Sequence, residues 1–250
     1  MPDLELFIFD VDGVLRDSAP AGLEGMLRGL KAIGVPTSYT KREYRLMRSL
    51  GKYNNSQQCL TLMYALQRAG TTIEKLVATE APEAACDALL ERYVTEADYE
   101  KMKDARNVYK EFFYSQAAGQ FVRVLPGIPE VLDELKNRYT LAIWSNAASS
   151  TLDRDLGPYL DRFSYLLGGE DMNIKKPSPD GILKICDDLS IERAKTAYVG
   201  DAAVDVQAAK AAGVVSIVTL SEVPDREILK REGADFYFED IREMAKQFVH

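Results

Sequence analysis

Histidine is almost missing from this chain: one residue in 250, His250. Acid–base chemistry must therefore rest on carboxylates, lysine, tyrosine or a metal-bound water. Cysteine is scarce as well. Cys59, Cys86 and Cys186 are odd in number and widely scattered. That pattern argues against a disulfide framework or a zinc site, and for small buried side chains in a reducing, cytoplasmic setting. No apolar run approaches the roughly 18 to 20 residues of a membrane-spanning helix, so no membrane partner is expected. Nor is there a basic stripe. With 31 Lys+Arg against 39 Asp+Glu and a formal net charge of −8, the chain lacks the electrostatic footprint of a nucleic-acid binder. The opening MPDLELFIFD carries acids where a secretory signal needs a basic n-region, and no signal is expected there.

The rest has the composition of an ordinary globular protein, 46% apolar and 28% charged. Its length suits one large domain or a core with a smaller companion. Residues 4–9 (LELFIF) read as a strand, as do LAIWS at 141–145, TAYVG at 196–200, VVSIVTL at 214–220 and DFYF at 235–238. Such near-continuous apolar runs suit a parallel sheet covered on both faces. Helical spacing lies between them. Ile128, Val131, Leu132 and Leu135 follow Pro126-Gly127, and Ile182, Leu183, Cys186 and Leu189 follow Ser178-Pro179, the expected N-cap and first-turn pair. The alternation predicts an α/β fold: a doubly wound, Rossmann-like parallel sheet. Residues 19–119 differ. They carry helical stripes such as Leu60, Met63, Tyr64 and Gln67, and one long pattern over 82–116. A helical domain is expected there, inserted into a core formed by 1–18 and 120–250.

Functional groups of an open parallel sheet gather at the carboxyl ends of its strands. Here those ends carry Asp10 and Asp12, Ser145-Asn146, and Gly200-Asp201 with Asp205 one helical turn on; a loop adds Lys175-Lys176-Pro177. Carboxylates so crowded repel one another unless a cation joins them. Oxygen ligands without His or Cys point to a hard cation, foremost Mg²⁺. A lysine and a serine beside them suit phosphate oxygens. With phosphate present, a carboxylate such as Asp10 can attack phosphorus while a second handles protons. Singly, each piece has a plainer reading. The DxD can be a turn, Asp201 and Ser145 helix caps, Asp205 a solvated helix residue, and the Lys-Pro a surface feature. An EF-hand is excluded: Gly13 is the fourth position of such a loop, and Ala21 stands where a bidentate Glu is needed. One phosphate–metal site accounts for all the pieces together.

Their order resembles the haloacid dehalogenase superfamily, in its phosphoglycolate phosphatase-like branch with a helical cap after the first motif. FDVDGVLRDS at 9–18 is similar to the first motif, WSNA at 144–147 to the second, KKPSPD at 175–180 to the third and GDAAVD at 200–205 to the fourth. The resemblance implies a Mg²⁺-dependent hydrolase of a small phosphorylated molecule, with Asp10 as nucleophile and metal ligand. It implies Asp12 as general acid/base and metal ligand through its carbonyl, Ser145 and Asn146 as phosphate contacts, and Lys176 as the neutralising cation. Asp201 and Asp205 would hold the metal, and glycine and backbone N–H groups such as those at Gly13 would face the phosphate. Arg48 and Lys52 are the candidates for cap residues over an anionic substrate. Arg16 departs from the pattern, standing where the family commonly has an aliphatic residue; a solvated or structural role is expected for it. Asp12 argues against dehalogenation, which needs no leaving-group acid.

A β-phosphoglucomutase-like mutase uses the same core, and a phosphonate hydrolase would need a Schiff-base lysine from the cap, for which Lys52 is the candidate. A receiver-like phospho-aspartate signalling module carries similar groups. Its accepting Asp sits mid-chain without a long helical insert, so the early DVD counts against it. A catalytically silent binding protein is disfavoured by the intact set Asp10, Asp12, Lys176 and Asp201.

Overall fold

The structure is a computed structural model that describes residues 2–169 and 175–249, so His250 lies outside the described residues. The chain begins with β1 (Leu6–Phe9) and a two-residue β2 (Arg16–Asp17). Helices α1 (Ala19–Ala32), α2 (Lys41–Ser49), α3 (Ser56–Ala69), α4 (Ile73–Val77), α5 (Pro82–Tyr93) and α6 (Glu96–Tyr114) follow. Alternation then resumes with β3 (Arg123–Val124), α7 (Ile128–Leu135), β4 (Thr140–Trp144), α8 (Ser149–Leu156) and β5 (Tyr165–Leu167). Next come α9 (Asp180–Leu189), β6 (Thr196–Gly200), α10 (Ala203–Ala212) and β7 (Val215–Thr219). The last elements are α11 (Arg226–Lys230), β8 (Phe236–Phe238) and α12 (Ile241–Val249). Two compact units result: Met1–Ser18 with Val122–His250, and Ala19–Phe121.

The first unit holds a six-stranded sheet in the order β5-β4-β1-β6-β7-β8, every pair parallel. This is the expected α/β, Rossmann-like architecture. β1 explains why its sequence is apolar without alternation. Phe7 and Phe9 pack on one face with Leu132, Ile143 and Phe248, while Leu6 and Ile8 pack on the other with Trp144, Ile182 and Tyr198. Both parities of the strand are therefore buried. The stripe Ile128, Val131, Leu132 and Leu135 is the buried face of α7. The pair β2–β3 is an antiparallel ribbon joining Arg16 to Val124 and Asp17 to Arg123.

The second unit has its own core, in which Met26, Leu30, Met47, Leu60, Met63, Leu66 and Met102 are fully buried. Within it α1 approaches α6 so closely that a Cβ on Gly29 would lie 2.3 Å from the Ala105 carbonyl oxygen. Cys59, Cys86 and Cys186 are buried and unpaired. Among the described residues no helix is long and apolar enough to cross a membrane.

Two expectations need correction, and one strand lies outside them. The pattern over 82–116 is two helices, because Thr95 and Asp98 form a capping box that starts α6 afresh: each side chain accepts from the other's backbone N–H, at 3.3 and 3.0 Å. The N-cap position of α9 is Pro179 rather than Ser178, whose hydroxyl accepts from Asp180 N at 3.4 Å. Strand β5 was not anticipated. It is a three-residue edge strand whose middle residue, Leu166, is exposed, so it carries neither length nor alternation to signal itself.

Candidate active site

Register brings the polar strand ends together. Phe9 of β1 pairs with Ile143 of β4 on one side and Val199 of β6 on the other. The residues just beyond, Asp10, Ser145 and Gly200-Asp201, therefore emerge side by side at the carboxyl ends of adjacent central strands. Asp10 is buried, and its backbone N–H donates to the Val199 carbonyl at 2.8 Å. After it the chain turns sharply: Gly13 N donates to the Arg16 carbonyl at 2.8 Å, and Leu15 N and Arg16 N both donate to the Val11 carbonyl. Gly13 has φ +84°, and a Cβ there would lie 1.8 Å from Asp201 Oδ2, so two independent constraints demand glycine. Its N–H donates within the turn, and its lack of a side chain lets the Asp201 carboxylate approach.

Lys176 is the hub. Its buried Nζ lies 2.8 Å from Asp10 Oδ1 and 2.7 Å from Asp205 Oδ1, and it donates to the Tyr198 hydroxyl at 2.9 Å. Tyr198 in turn donates to the Trp144 carbonyl at 3.0 Å. Asp205, on α10, accepts from the backbone N–H groups of Asp201 and Ala202 at 3.1 and 3.0 Å. Asp205 is thus buried and fixes the turn after β6, which corrects its plainer reading as a solvated helix residue. Asp10, Asp201 and Asp205 each offer a carboxylate oxygen within 4.8 Å of the others.

Burial shifts these groups in informative directions. It pushes the Asp10 carboxyl up to about 6, with Asp205 and Asp12 adding to the rise and Lys176 opposing it. Burial acts to lower Lys176, but the Asp10 and Asp205 carboxylates overcome it and hold the ammonium well above its ordinary range. Burial likewise raises Tyr198, keeping its phenol protonated.

The remaining predicted residues fall into place around this cluster. Ser145 is buried, its Oγ accepting from Ala147 N at 3.2 Å. α8 begins only at Ser149, so Ser145 does not cap it. Asn146 Oδ1 accepts from Lys176 N at 3.4 Å. Asp12 is less enclosed, its side chain 40% exposed, and its Oδ1 accepts from Arg16 Nε at 2.8 Å. Arg16 itself is fully buried, which removes the solvated half of the expectation for it. Arg48 and Lys52 belong to the helical unit. Arg48 Nε donates to Asn54 Oδ1 at 2.7 Å, and Lys52 is half-exposed and paired with Asp87 at 2.5 Å.

Sequence reasoning missed Tyr198 and Trp144. Lys176 Nζ lies 5.5 Å from the Tyr198 ring centroid and 5.8 Å from that of Trp144, so the two rings wall the ammonium. A usable signal did exist for Tyr198: a phenol inside a fully buried strand must find a polar partner.

The chemistry of the donor set is that of a divalent-cation site. Asp10 Oδ1 is buried and lies 2.8 Å from the Lys176 ammonium. Three carboxylates against one ammonium leave an excess of two negative charges, all on hard oxygen donors. These residues fit a small dication, which would supply positive charge where Asp10 now tends to take up a proton.

Known proteins resemble this chain in sequence and in fold. The sequence model for haloacid dehalogenase-like hydrolases matches residues 7–219. The phosphoglycolate phosphatase of Escherichia coli (strain K12) is 27% identical over 221 residues, covering 86% of this chain and 81% of that protein. A crystal structure described as a predicted phosphoglycolate phosphatase from Haemophilus somnus 129PT superposes with a TM-score of 0.72 at 21% identity, covering 99% of both chains. A HAD-superfamily hydrolase from Geobacter sulfurreducens PCA gives a TM-score of 0.65 at 22% identity, covering 100% of this chain and 98% of that one. At those identities the two structures speak to the fold.

Proposed function

The chain belongs to the haloacid dehalogenase-like hydrolases, and from that premise we propose that it is a Mg²⁺-dependent phosphatase of a small, phosphoglycolate-like phosphomonoester, working through an aspartyl-phosphate on Asp10. The observation that carries this reading is Asp10 itself: a buried carboxylate, raised to about 6, that shares one cluster with Asp201 and Asp205 and lies 2.8 Å from the Lys176 ammonium. A carboxylate so placed is costly to keep ionised, and a perturbed carboxyl among charged partners is a mark of a functional site.

In this reading Asp10, Asp201 and the Asp12 carbonyl hold Mg²⁺, with Asp205 beside them. When bound, the ion supplies charge neutralisation for the nucleophile and the phosphoryl oxygens. A carboxylate oxygen of Asp10 attacks phosphorus as the bond from phosphorus to the ester oxygen breaks. Asp12 gives its proton to that departing oxygen. It then takes a proton from water, whose oxygen attacks phosphorus and frees Asp10 and inorganic phosphate. Lys176 keeps Asp10 ionised and faces the phosphoryl oxygens with Ser145 and Asn146. Arg48 and Lys52 are assigned as contacts for the substrate's second anionic group, and the helical unit serves as a cap that opens and closes.

The test is phosphate release from phosphoglycolate, sugar phosphates, nucleotides and pyrophosphate. Turnover that disappears with chelation, returns with Mg²⁺ and is lost in Asp10→Asn supports the reading. Acid quenching should also trap a phosphoryl group on the peptide containing Asp10. Full activity in Asp10→Asn, or interconversion of sugar phosphates without net phosphate release, would overturn it.

A further inference from the structure

Arg16 sits on β2 with none of its surface exposed, an uncommon place for a guanidinium. Its Nε donates to Asp12 Oδ1 at 2.8 Å. The other nitrogens are fixed to α8: Nη1 donates to the Thr151 carbonyl at 2.7 Å and to Asp155 Oδ2 at 2.6 Å, and Nη2 donates to Thr151 Oγ1 at 3.2 Å. Asp155 is buried and also accepts from Arg154 at 2.6 Å. A planar fork engaged along all its edges has little freedom left.

Stability alone gives no reason for a guanidinium here. Desolvating a charge is costly even when it is paired, and an apolar side chain of similar size packs a buried strand as well. What Arg16 adds is a fixed link from α8 to one oxygen of Asp12. That oxygen can accept from Arg16 whether Asp12 is ionised or protonated, because a carboxylic acid keeps one acceptor oxygen. With Oδ1 so engaged, the acidic proton resides on Oδ2.

We propose that Arg16 is a positioning residue for proton transfer: anchored on Thr151 and Asp155, it holds the Asp12 carboxyl so that Oδ2 carries the proton delivered to the leaving oxygen. In that step the Asp12 Oδ2–H bond breaks as the ester oxygen gains the proton and loses its bond to phosphorus, while an Asp10 oxygen bonds to phosphorus. The proposal rests on the reading of Asp12 as the general acid.

Leaving groups distinguish this role from a structural one. A nitrophenolate departs without help, whereas an alkoxide needs the proton. The ratio kcat/KM reports only events up to departure of the alcohol, so it isolates the step in question. Arg16→Leu should lower kcat/KM for simple alkyl phosphates by about 10- to 100-fold. With para-nitrophenyl phosphate it should stay within about threefold of wild type, which also counts intact sites. In an Asp12→Asn background, Arg16→Leu should add no further selective loss, because the two residues act through one proton. The substitution leaves Asp155 its Arg154 partner, and Arg16→Lys, which keeps the charge without the fork, provides a second variant with the same selectivity at smaller size. Equal loss across all esters, or an additive loss in Asp12→Asn, would overturn the proposal. If Asp12→Asn responds to the leaving group and neither Arg16 variant does, the Arg16 role alone falls. A flat response in Asp12→Asn removes the acid role and this proposal with it.

Discussion

Each unit of this protein buries a carboxylate, and the two are treated in opposite ways. Asp98, in the helical unit, accepts from the Tyr64 hydroxyl at 2.7 Å, the Thr95 hydroxyl at 2.7 Å and the Thr95 N–H at 3.0 Å. The Tyr64 hydroxyl, the largest influence, brings its pKa down to about 2, with burial opposing and Thr95 assisting. Asp10, in the sheet unit, is raised to about 6 by burial, although the Lys176 ammonium 2.8 Å from its Oδ1 opposes the rise. The difference separates a charge that holds a fold together from one that the fold holds against its preference. Only the second has reactivity to offer.

The sharpest way to test the contrast is to neutralise each carboxylate. With Asp10 as the proposed nucleophile, Asp10→Asn should lower phosphate release by at least about 10³-fold. Its metal-free thermal midpoint at neutral pH should not fall. The sign follows from linkage: a carboxylate raised in the folded state destabilises the fold as pH climbs from its ordinary 3.8 through about 6. Denaturant unfolding in chelator should therefore find Asp10→Asn gaining on wild type across that window and matching it below. A variant that is less stable at pH 7 would break the comparison.

Asp98→Ala should behave as the mirror image, with unchanged turnover per folded molecule and a stability loss of about 2 kcal/mol from the missing cap and hydrogen bonds. That loss should itself depend on pH. Asp98 is lowered, so its contribution is present above 3.8 and vanishes as pH falls towards about 2. Wild type and variant should converge in acid unfolding. The smallest expected effect is that of Tyr198→Phe, which removes the hydroxyl between Lys176 and the Trp144 carbonyl. About 1 kcal/mol of stability should be lost, together with a severalfold drop in kcat at little change in KM.

The sheet and the gathering of carboxylates at its strand ends were legible because both leave strong local marks. Doubly buried strands are apolar throughout, and the charges that interrupt them at Asp10 and Gly200-Asp201 stand out for that reason. What could not be read was set by contacts across long sequence distances. The 135-residue separation of Arg16 from Thr151 hides the anchoring of a buried guanidinium, and Tyr198 meets Lys176 only through the tertiary fold. The break at Thr95 was readable in principle, since Thr95 and Asp98 have capping-box spacing, but the helical stripe on either side masked it. Edge strand β5 left no comparable mark.

The short ribbon between β2 and β3 has a consequence for how such a chain evolves. Asp17 and Arg123 are register partners, so the chain leaves the sheet unit and returns to it at neighbouring points. From the sheet's side, the roughly hundred residues between them are a single closed excursion, and closure entropy grows only with the logarithm of its length. A helical insert of different size or sequence can therefore replace this one without moving Asp10, Lys176 or Asp201. The ribbon makes the helical unit a separable part, whose ends the sheet unit holds side by side.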